Sequence, residues 1–399
     1  MRTFRFLHAA DLHLDSPFRG LEGLPDRVRD VVRESTFASL KRIEEIALRE
    51  RVDFAVFCGD LYDARDRSLK AQLRFRDMAA RLAARGIRVF VIHGNHDPED
   101  GYRAALEWPE GVHHFGSDGV GTVPAIGPDG VHLADVHGIS FRKASVTENL
   151  ALRFRPSASG VFQLAMLHCN VDGQPGHDNY APCRKADLAG AGFDYWALGH
   201  IHARAVLHRD PWIVYPGNPQ GRSMKETGAR GVHVVVVRDG RHAEEPVFHA
   251  ADTVRWEQVR VGIAGLEREQ ELLDRLRRAV EEARERAEGR HVFVRLVLEG
   301  RGPLHGVLVR EDRVRELLEE LRREEMELAE SAADKPFAWP ESLRVETAGE
   351  AVELEALRGQ DSFIGDVLRL ADELRRDPER FRQFRRKALE TLADTSWGR

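Results

Sequence analysis

Short apolar runs alternate with longer, helix-like segments through roughly the first 250 residues. Runs at 3–7, 54–58 and 89–92 bracket helix-like stretches at 27–49 and 68–85. That rhythm predicts β-α-β-α-β, a layered α/β unit whose functional groups sit on the loops after the strands. Later runs at 162–167, 195–198, 212–215 and 232–237 are rich in Val and aromatic residues, with little helical sequence between the last three. They predict a second, more antiparallel sheet packed on the first.

After Val254 the pattern changes, and Arg and Glu become dense. The stretch 266–287 places Leu272, Leu273, Leu276, Ala279 and Val280 at helical spacing. A strand-like run at 292–298 and a helix at 313–323 complete a small α+β unit. Past a loop around Pro336 and Pro340, helices are expected at 363–375 and 378–392, the second opened by Pro378. The division that follows is an α/β unit at 1–250, an α+β unit at 251–335 and a helical segment at 336–399.

Composition narrows the class. With 399 residues and 42% apolar content the chain can bury two or three cores. Arg2 and Arg5 lead straight into Phe6-Leu7-His8, without the apolar run and cleavage site of a secretion signal, and no apolar run approaches the length of a membrane span. Cys58, Cys169 and Cys183 form no CxxC pair, which suits a reducing compartment and a cytoplasmic protein. The formal charge of -6 is not the footprint of a whole-chain nucleic-acid binder, so any such contact must come from a local patch. The chain has no Gly-x-x-x-x-Gly-Lys-[Ser/Thr] motif, and ATP-driven action would need another subunit.

The candidate chemistry lies in five clusters, each directly after a strand-like run. They are Asp11-Leu12-His13, Gly59-Asp60-Leu61-Tyr62-Asp63, Gly94-Asn95-His96-Asp97, His168 and Gly199-His200-Ile201-His202. Residues two apart on a strand share a face, so Asp-x-His and His-x-His can each present two donors to one ion. Carboxylate, amide and imidazole without thiolate suit Mn²⁺ best, with Fe or Zn²⁺ as alternatives. Two cations a few ångströms apart serve in-line displacement at phosphorus, with Asp60 as the shared ligand. Each motif alone is commonplace; their order is what carries weight.

That ordered set resembles the calcineurin-like metallophosphoesterases over roughly the first 240 residues. The resemblance implies a four-layer α/β/β/α sandwich of two mixed sheets. It also implies that Asp11, His13, Asp60 and His202 hold one cation, and that Asp60, Asn95, His168 and His200 hold the other. His96 corresponds to the family's non-ligand histidine, which protonates or orients the leaving oxygen. A narrower similarity, at 8–18, 177–183 and 215–222, is to the YhaO-type, SbcD-like bacterial DNA repair exonucleases. It implies DNA as substrate with 3′-to-5′ polarity, a capping domain after the nuclease domain, and a C-terminal segment docked on an SMC-like coiled-coil ATPase. Homodimers paired through nuclease-domain helices are implied too, with 27–49 and 68–85 as candidates.

Two other functions compete. One keeps the chemistry but acts on nucleotides or phosphoproteins; the other is a non-catalytic scaffold, against which the intact motif set argues. Around the motifs, Asp15 and Asp63 could orient metal-bound imidazoles or simply order loops. Asp97 could orient His96 or bond its own turn. Arg222 could meet a phosphate, and Tyr180 could stack on a base or pack. His8 and His93 read as core histidines. The Arg-rich helix at 378–392, with Phe381 and Phe384, reads as a solvated amphipathic face or a partner-docking helix.

Overall fold

Nearly unbroken apolar runs require burial on both faces, and that demand sets the layering. The computed structural model describes residues 2–18, 23–66, 68–176, 178–332, 335–350, 357–359 and 361–393. The chain begins β1 (Phe4–Ala9), α1 (Asp26–Arg49), β2 (Phe54–Cys58), α2 (Leu69–Ala83), β3 (Arg88–Ile92), β4 (Val112–His114), β5 (Gly121–Ile126), β6 (His132–Gly138) and β7 (Phe162–His168). It continues α3 (Lys185–Ala189), β8 (Tyr195–Gly199), β9 (Ala205–Arg209), β10 (Trp212–Tyr215), β11 (Gly231–Arg238), β12 (His242–Ala243) and β13 (Val247–Ala250). The remainder is β14 (Val254–Gly262), α4 (Glu269–Arg286), β15 (His291–Arg301), α5 (His305–Leu308), α6 (Glu311–Ser331), β16 (Ala338–Ala348), α7 (Phe363–Arg376) and α8 (Pro378–Ala393).

One sheet runs β12-β11-β1-β2-β3-β4, with β13 also on β11, and a second runs β5-β6-β7-β8-β10-β9. Both are mixed. In the first, β1 to β4 are parallel and β11 is antiparallel to β1; in the second, β6, β7, β8 and β10 are parallel between antiparallel β5 and β9. Alternation decides the faces. Phe4, Phe6, Phe54, Val56 and Phe90 pack across to Phe162, Leu164, Tyr195 and Val214 between the sheets. The intervening residues Leu7, Ala55, Phe57, Val89 and Val91 meet Leu40, Ile43, Phe75 and Met78 of α1 and α2. On the far side, Leu167, Trp196 and Leu198 pack with Phe154, Leu188 and Phe193. The result is the α/β/β/α sandwich.

Several details differ from the sequence reading. The run at 232–237 belongs to the first sheet, where His8 pairs with His233, and not to the second. Its valines are apolar on both faces, so no local pattern distinguishes the two sheets; only pairing with β1 does. The second sheet is also more parallel than expected, because its crossovers are loops, a 3-10 turn at Leu150–Arg153 and the single turn of α3 instead of long helices. The half-exposed strands β4 and β5 gave no readable apolar run.

The third sheet, β14-β15-β16, is wholly parallel. Leu272, Leu276 and Ala279 of α4 and Leu321 of α6 cover its Val292, Val294, Leu296 and Leu298. Trp256, Phe293, Phe337 and Trp339 pack against Val28 and Val32 of α1, fastening this unit to the first sheet's helix layer. The expected break at 335/336 falls inside this unit, since Ala338–Ala348 is its third strand. Pro340 carries a loop signal, yet it sits on an edge strand beside a register shift, where no ladder N–H is needed. Beyond it, α7 and α8 expose Phe363, Ile364, Val367, Phe381, Phe384 and Leu389, with Phe363 82% exposed. Among the described residues, no helix is long and apolar enough to cross a membrane.

Candidate metal centre

The five motifs converge because β1, β2, β3, β7 and β8 all end at one edge of the sandwich. Their loops are stitched by backbone bonds. Asp11 N–H donates to Gly59 O (3.0 Å) and His13 N–H to Asp60 O (3.0 Å). The two sheets are tied where His200 N–H reaches Asp11 Oδ1 at 2.9 Å, and where His168 Nδ1 meets Cys58 O at 2.9 Å. Asp11, His13, Asp60 and His200 all adopt positive φ (55°, 43°, 52° and 98°), a region costly for residues with a Cβ. Such strain, about 1–3 kcal/mol per residue, persists only where the surroundings enforce it and clusters at functional sites. Gly94 is needed for contact: a Cβ there would lie 2.7 Å from His168 Nε2 and closer still to Asp60 Oδ1.

The side chains form three groups, two of them joined through the third. Asp11, His13 and His202 offer one set of ligand atoms within 4.8 Å of one another, Asp60, His168 and His200 offer a second, and His13, Asp60 and His96 a third that links them. His13 Nε2 and His202 Nε2 are 3.2 Å apart. Asp60 Oδ2 is 3.9 Å from His13 Nε2 and 3.4 Å from His168 Nε2, so it stands between the groups. Asn95 Oδ1 joins the second, 3.0 Å from His168 Nε2 and 3.2 Å from His200 Nδ1. His13 Nδ1 is buried without a hydrogen-bond partner. Lone-pair donors buried this close to one another suit a divalent cation, and the absence of thiolate suits a hard or borderline ion. The donor chemistry therefore fits the metals that the sequence implies.

Electrostatics within the centre point the same way. Burial pushes Asp11 up to about 6, against the pull of His168 and His202. Burial opposes ionisation of Asp60 too, but His168, His96 and His13 outweigh it and hold this carboxyl well below the usual range. His168 is buried as well, yet Asp60 and Asp11 raise it to about 9, whereas burial and the Arg222 charge hold His13 down at about 4.

His96 is the exposed member of the linking group and stands at the mouth. Its Nδ1 is held by Asp63, which raises the imidazole's pKa against burial, and its ring packs edge-on to His13 at 4.7 Å. Asp63 also lies 3.6 Å from His13 Nδ1 and accepts from Ser16. Asp97 does not touch His96. Fully buried, it accepts the N–H groups of Asp60 (3.1 Å), Leu61 (3.0 Å) and Gly94 (2.7 Å) and meets His93 Nδ1 (3.0 Å), so it shapes two loops at once. Asp15 accepts from Ser68, the residue that caps α2. His8 is a core residue bonded to Tyr195 and Leu198. Tyr180 stands 5.8 Å from His200, ring to ring, on the wall of a 490 Å³ cavity also lined by Arg65, Asn95, His96 and Tyr102. His177 lies outside the described residues.

Sequence reasoning missed Glu226, whose Oε1 is 2.6 Å from His202 Nδ1. A single Glu in a polar loop 24 residues downstream carries no spacing signal. It missed Arg230 as well, which donates to the His202 carbonyl and to Asn218 Oδ1 (2.9 Å).

Comparison with known proteins matches this geometry. A family model described as calcineurin-like phosphoesterase covers residues 4–204, and one described as the middle domain of metallophosphoesterase YhaO covers 256–348. The uncharacterized metallophosphoesterase YhaO of Bacillus subtilis (strain 168) is 40% identical over 365 residues, 91% of this chain and 85% of that protein. More distant are the DNA double-strand break repair proteins Mre11 of Aeropyrum pernix, 26% identical over 65% of this chain, and of Thermoplasma acidophilum, 28% identical over 59%. The matches span 63% and 62% of those two proteins. With its strand-end motifs, its sandwich and these matches, the chain belongs to the calcineurin-like metallophosphoesterase family.

Proposed function

We propose that this phosphoesterase is a metal-dependent DNA exonuclease that removes nucleotides from 3′ ends in DNA repair. The observation that carries the chemistry is a pair of donor groups linked through His13 and Asp60, with the Asp63-held His96 beside that link at an open cavity. The Mre11 similarity supports DNA as the substrate. Asp11, His13, Asp60 and His202 would hold one cation, and Asp60, Asn95, His168 and His200 the other, with Mn²⁺ the best fit to this donor set. Bound there, two divalent ions would activate water and neutralise phosphate charge.

The chain's own groups do the rest. Asp63 fixes His96 through Nδ1 and favours its protonated form, so the exposed edge of the ring can deliver a proton to the departing 3′-oxygen. Arg222, whose charge bears on both His13 and His96, would pair with a phosphate oxygen. Tyr102, Tyr180 and Arg65 line a cavity large enough for one nucleoside. The exposed apolar residues of α7 and α8 suit docking on an SMC-like coiled-coil ATPase. The outward faces of α1 and α2 are joined by the Lys70–Glu34 and Arg81–Glu44 ion pairs, so homodimer pairing through them would be polar. Three free cysteines suit a reducing cytoplasm.

The test is Mn²⁺-loaded protein incubated with 3′-labelled linear DNA. Mononucleotide release is expected, and His96→Gln should slow it about 10²- to 10⁴-fold while metal content stays the same. The cavity also fits a free mononucleotide. Metal-loaded protein that leaves DNA intact, alone and with its ATPase, but turns over free or cyclic nucleotides would replace the nuclease reading with that of a small-molecule phosphodiesterase.

A further inference from the structure

We infer that Glu226 is a positioning residue for His202 and sets the affinity of one cation site, that of Asp11, His13 and His202, without governing the other. The inference rests on the two-site reading of the centre. Glu226 belongs to none of the strand-end motifs. It sits in the loop between β10 and β11, in a turn closed by its own N–H on Ser223 O at 2.9 Å. Both of its oxygens are engaged, Oε1 with His202 Nδ1 and Oε2 with the backbone N–H of Arg222, each at 2.6 Å. Arg230 holds the other side of the same strand end through the His202 carbonyl.

A carboxylate can only accept, so the proton between Glu226 and His202 belongs on Nδ1. That leaves Nε2 with its lone pair, aimed at the space shared with His13 Nε2 at 3.2 Å. An imidazole that donates to a carboxylate is fixed in tautomer and ring orientation and is a stronger base toward a metal. The imidazoles of the other group are held by neutral acceptors: His168 Nδ1 meets the Cys58 carbonyl at 2.9 Å, and His200 Nε2 meets the Asp178 carbonyl at 2.7 Å. The negative charge of Glu226 therefore bears on one site more than on the other.

Calorimetric titration of metal-free protein with MnCl₂ tests this directly, with no reliance on turnover. Wild type should bind two ions. Glu226→Gln keeps the shape and an acceptor but loses the charge, and should weaken one binding step about ten- to a hundred-fold while leaving the other within about two-fold. Glu226→Asp, which keeps the charge one methylene shorter, should fall between them and serves if the Gln variant folds poorly. Two unchanged steps in the variants, or equal weakening of both, would overturn the role of Glu226 and leave the metal reading standing. A wild-type protein that takes up no Mn²⁺ would instead overturn the two-site reading itself, and this inference with it.

Discussion

At the strand ends of the two-sheet body, like groups crowd together: buried His13 against half-buried His202, and buried Asp11 near Asp60, with Asp11, His13 and Asp60 on left-handed backbone. In the three-stranded unit, buried charges meet opposite charges already in place, Arg284 with Glu325 and Glu281, and Arg255 and Arg290 with Asp252, beside an apolar interior. The first arrangement is balanced only when a counter-charge arrives; the second is complete as it stands. A buried charge with its partner built in marks structure, whereas buried donors that share one space mark a binding site.

Substitutions should separate the regions accordingly. The largest effect is expected for Asp60→Asn, which removes the one carboxylate between the two donor groups. Turnover of a model phosphodiester should drop at least about 10³-fold, or about 4 kcal/mol, with an unchanged far-UV spectrum. A loss under about ten-fold would show that the shared carboxylate is not central. Next comes Leu296→Ala in β15, fully buried among α4 side chains. It should cost about 2–5 kcal/mol in denaturant unfolding yet leave the turnover of folded protein within about two-fold. A large activity loss would mean that the regions are coupled. Trp256 is where that coupling would run, since its Nε1 donates to Gly221 O beside Arg222 and its ring stacks on Phe293 at 4.6 Å.

The smallest effect concerns acid. Burial holds His233 down at about 4, with Arg204 and His249 adding to it, and burial together with His233 holds His8 at about 3. These folded-state values lie below the unfolded value near 6.5, so as pH falls below about 6.5 the unfolded chain takes up protons that the folded one refuses. Stability should decline from there to about pH 4, by up to about 1.4 kcal/mol per unit for each histidine. His233 Nδ1 has no partner, so His233→Phe removes this term without orphaning a neighbour. Unfolding titrations at pH 6.5 and 5 should show a shallower slope for the variant, and equal slopes would refute the assignment.

Much of this was legible in the chain because it is local. Strand runs, helix stripes and the motif at each strand end depend on neighbours within a few residues, and α1, α2, α4, α7 and α8 appear where the spacing placed them, to within a few residues. What failed to show was non-local. The pairing of β11 with β1, the continuation of the third sheet into β16 through Pro340, and the link from Glu226 to His202 each join segments whose local patterns say nothing of one another. Asp63 and Asp97 illustrate the same limit. Both stand in motifs next to ligands, yet only packing decides that Asp63 holds His96 while Asp97 ties three backbone amides.

By itself, then, the sequence determined which side chains stand at the strand ends, their chemical types and the family they spell, since all of these are covalent order and local periodicity. Tertiary structure alone decided how closely those side chains approach one another, which carboxylate serves which imidazole, and which charges are buried deeply enough to shift. Those outcomes depend on distances of 3–4 Å between residues as far as 189 positions apart, and only the closing of one sheet over the other brings them within reach.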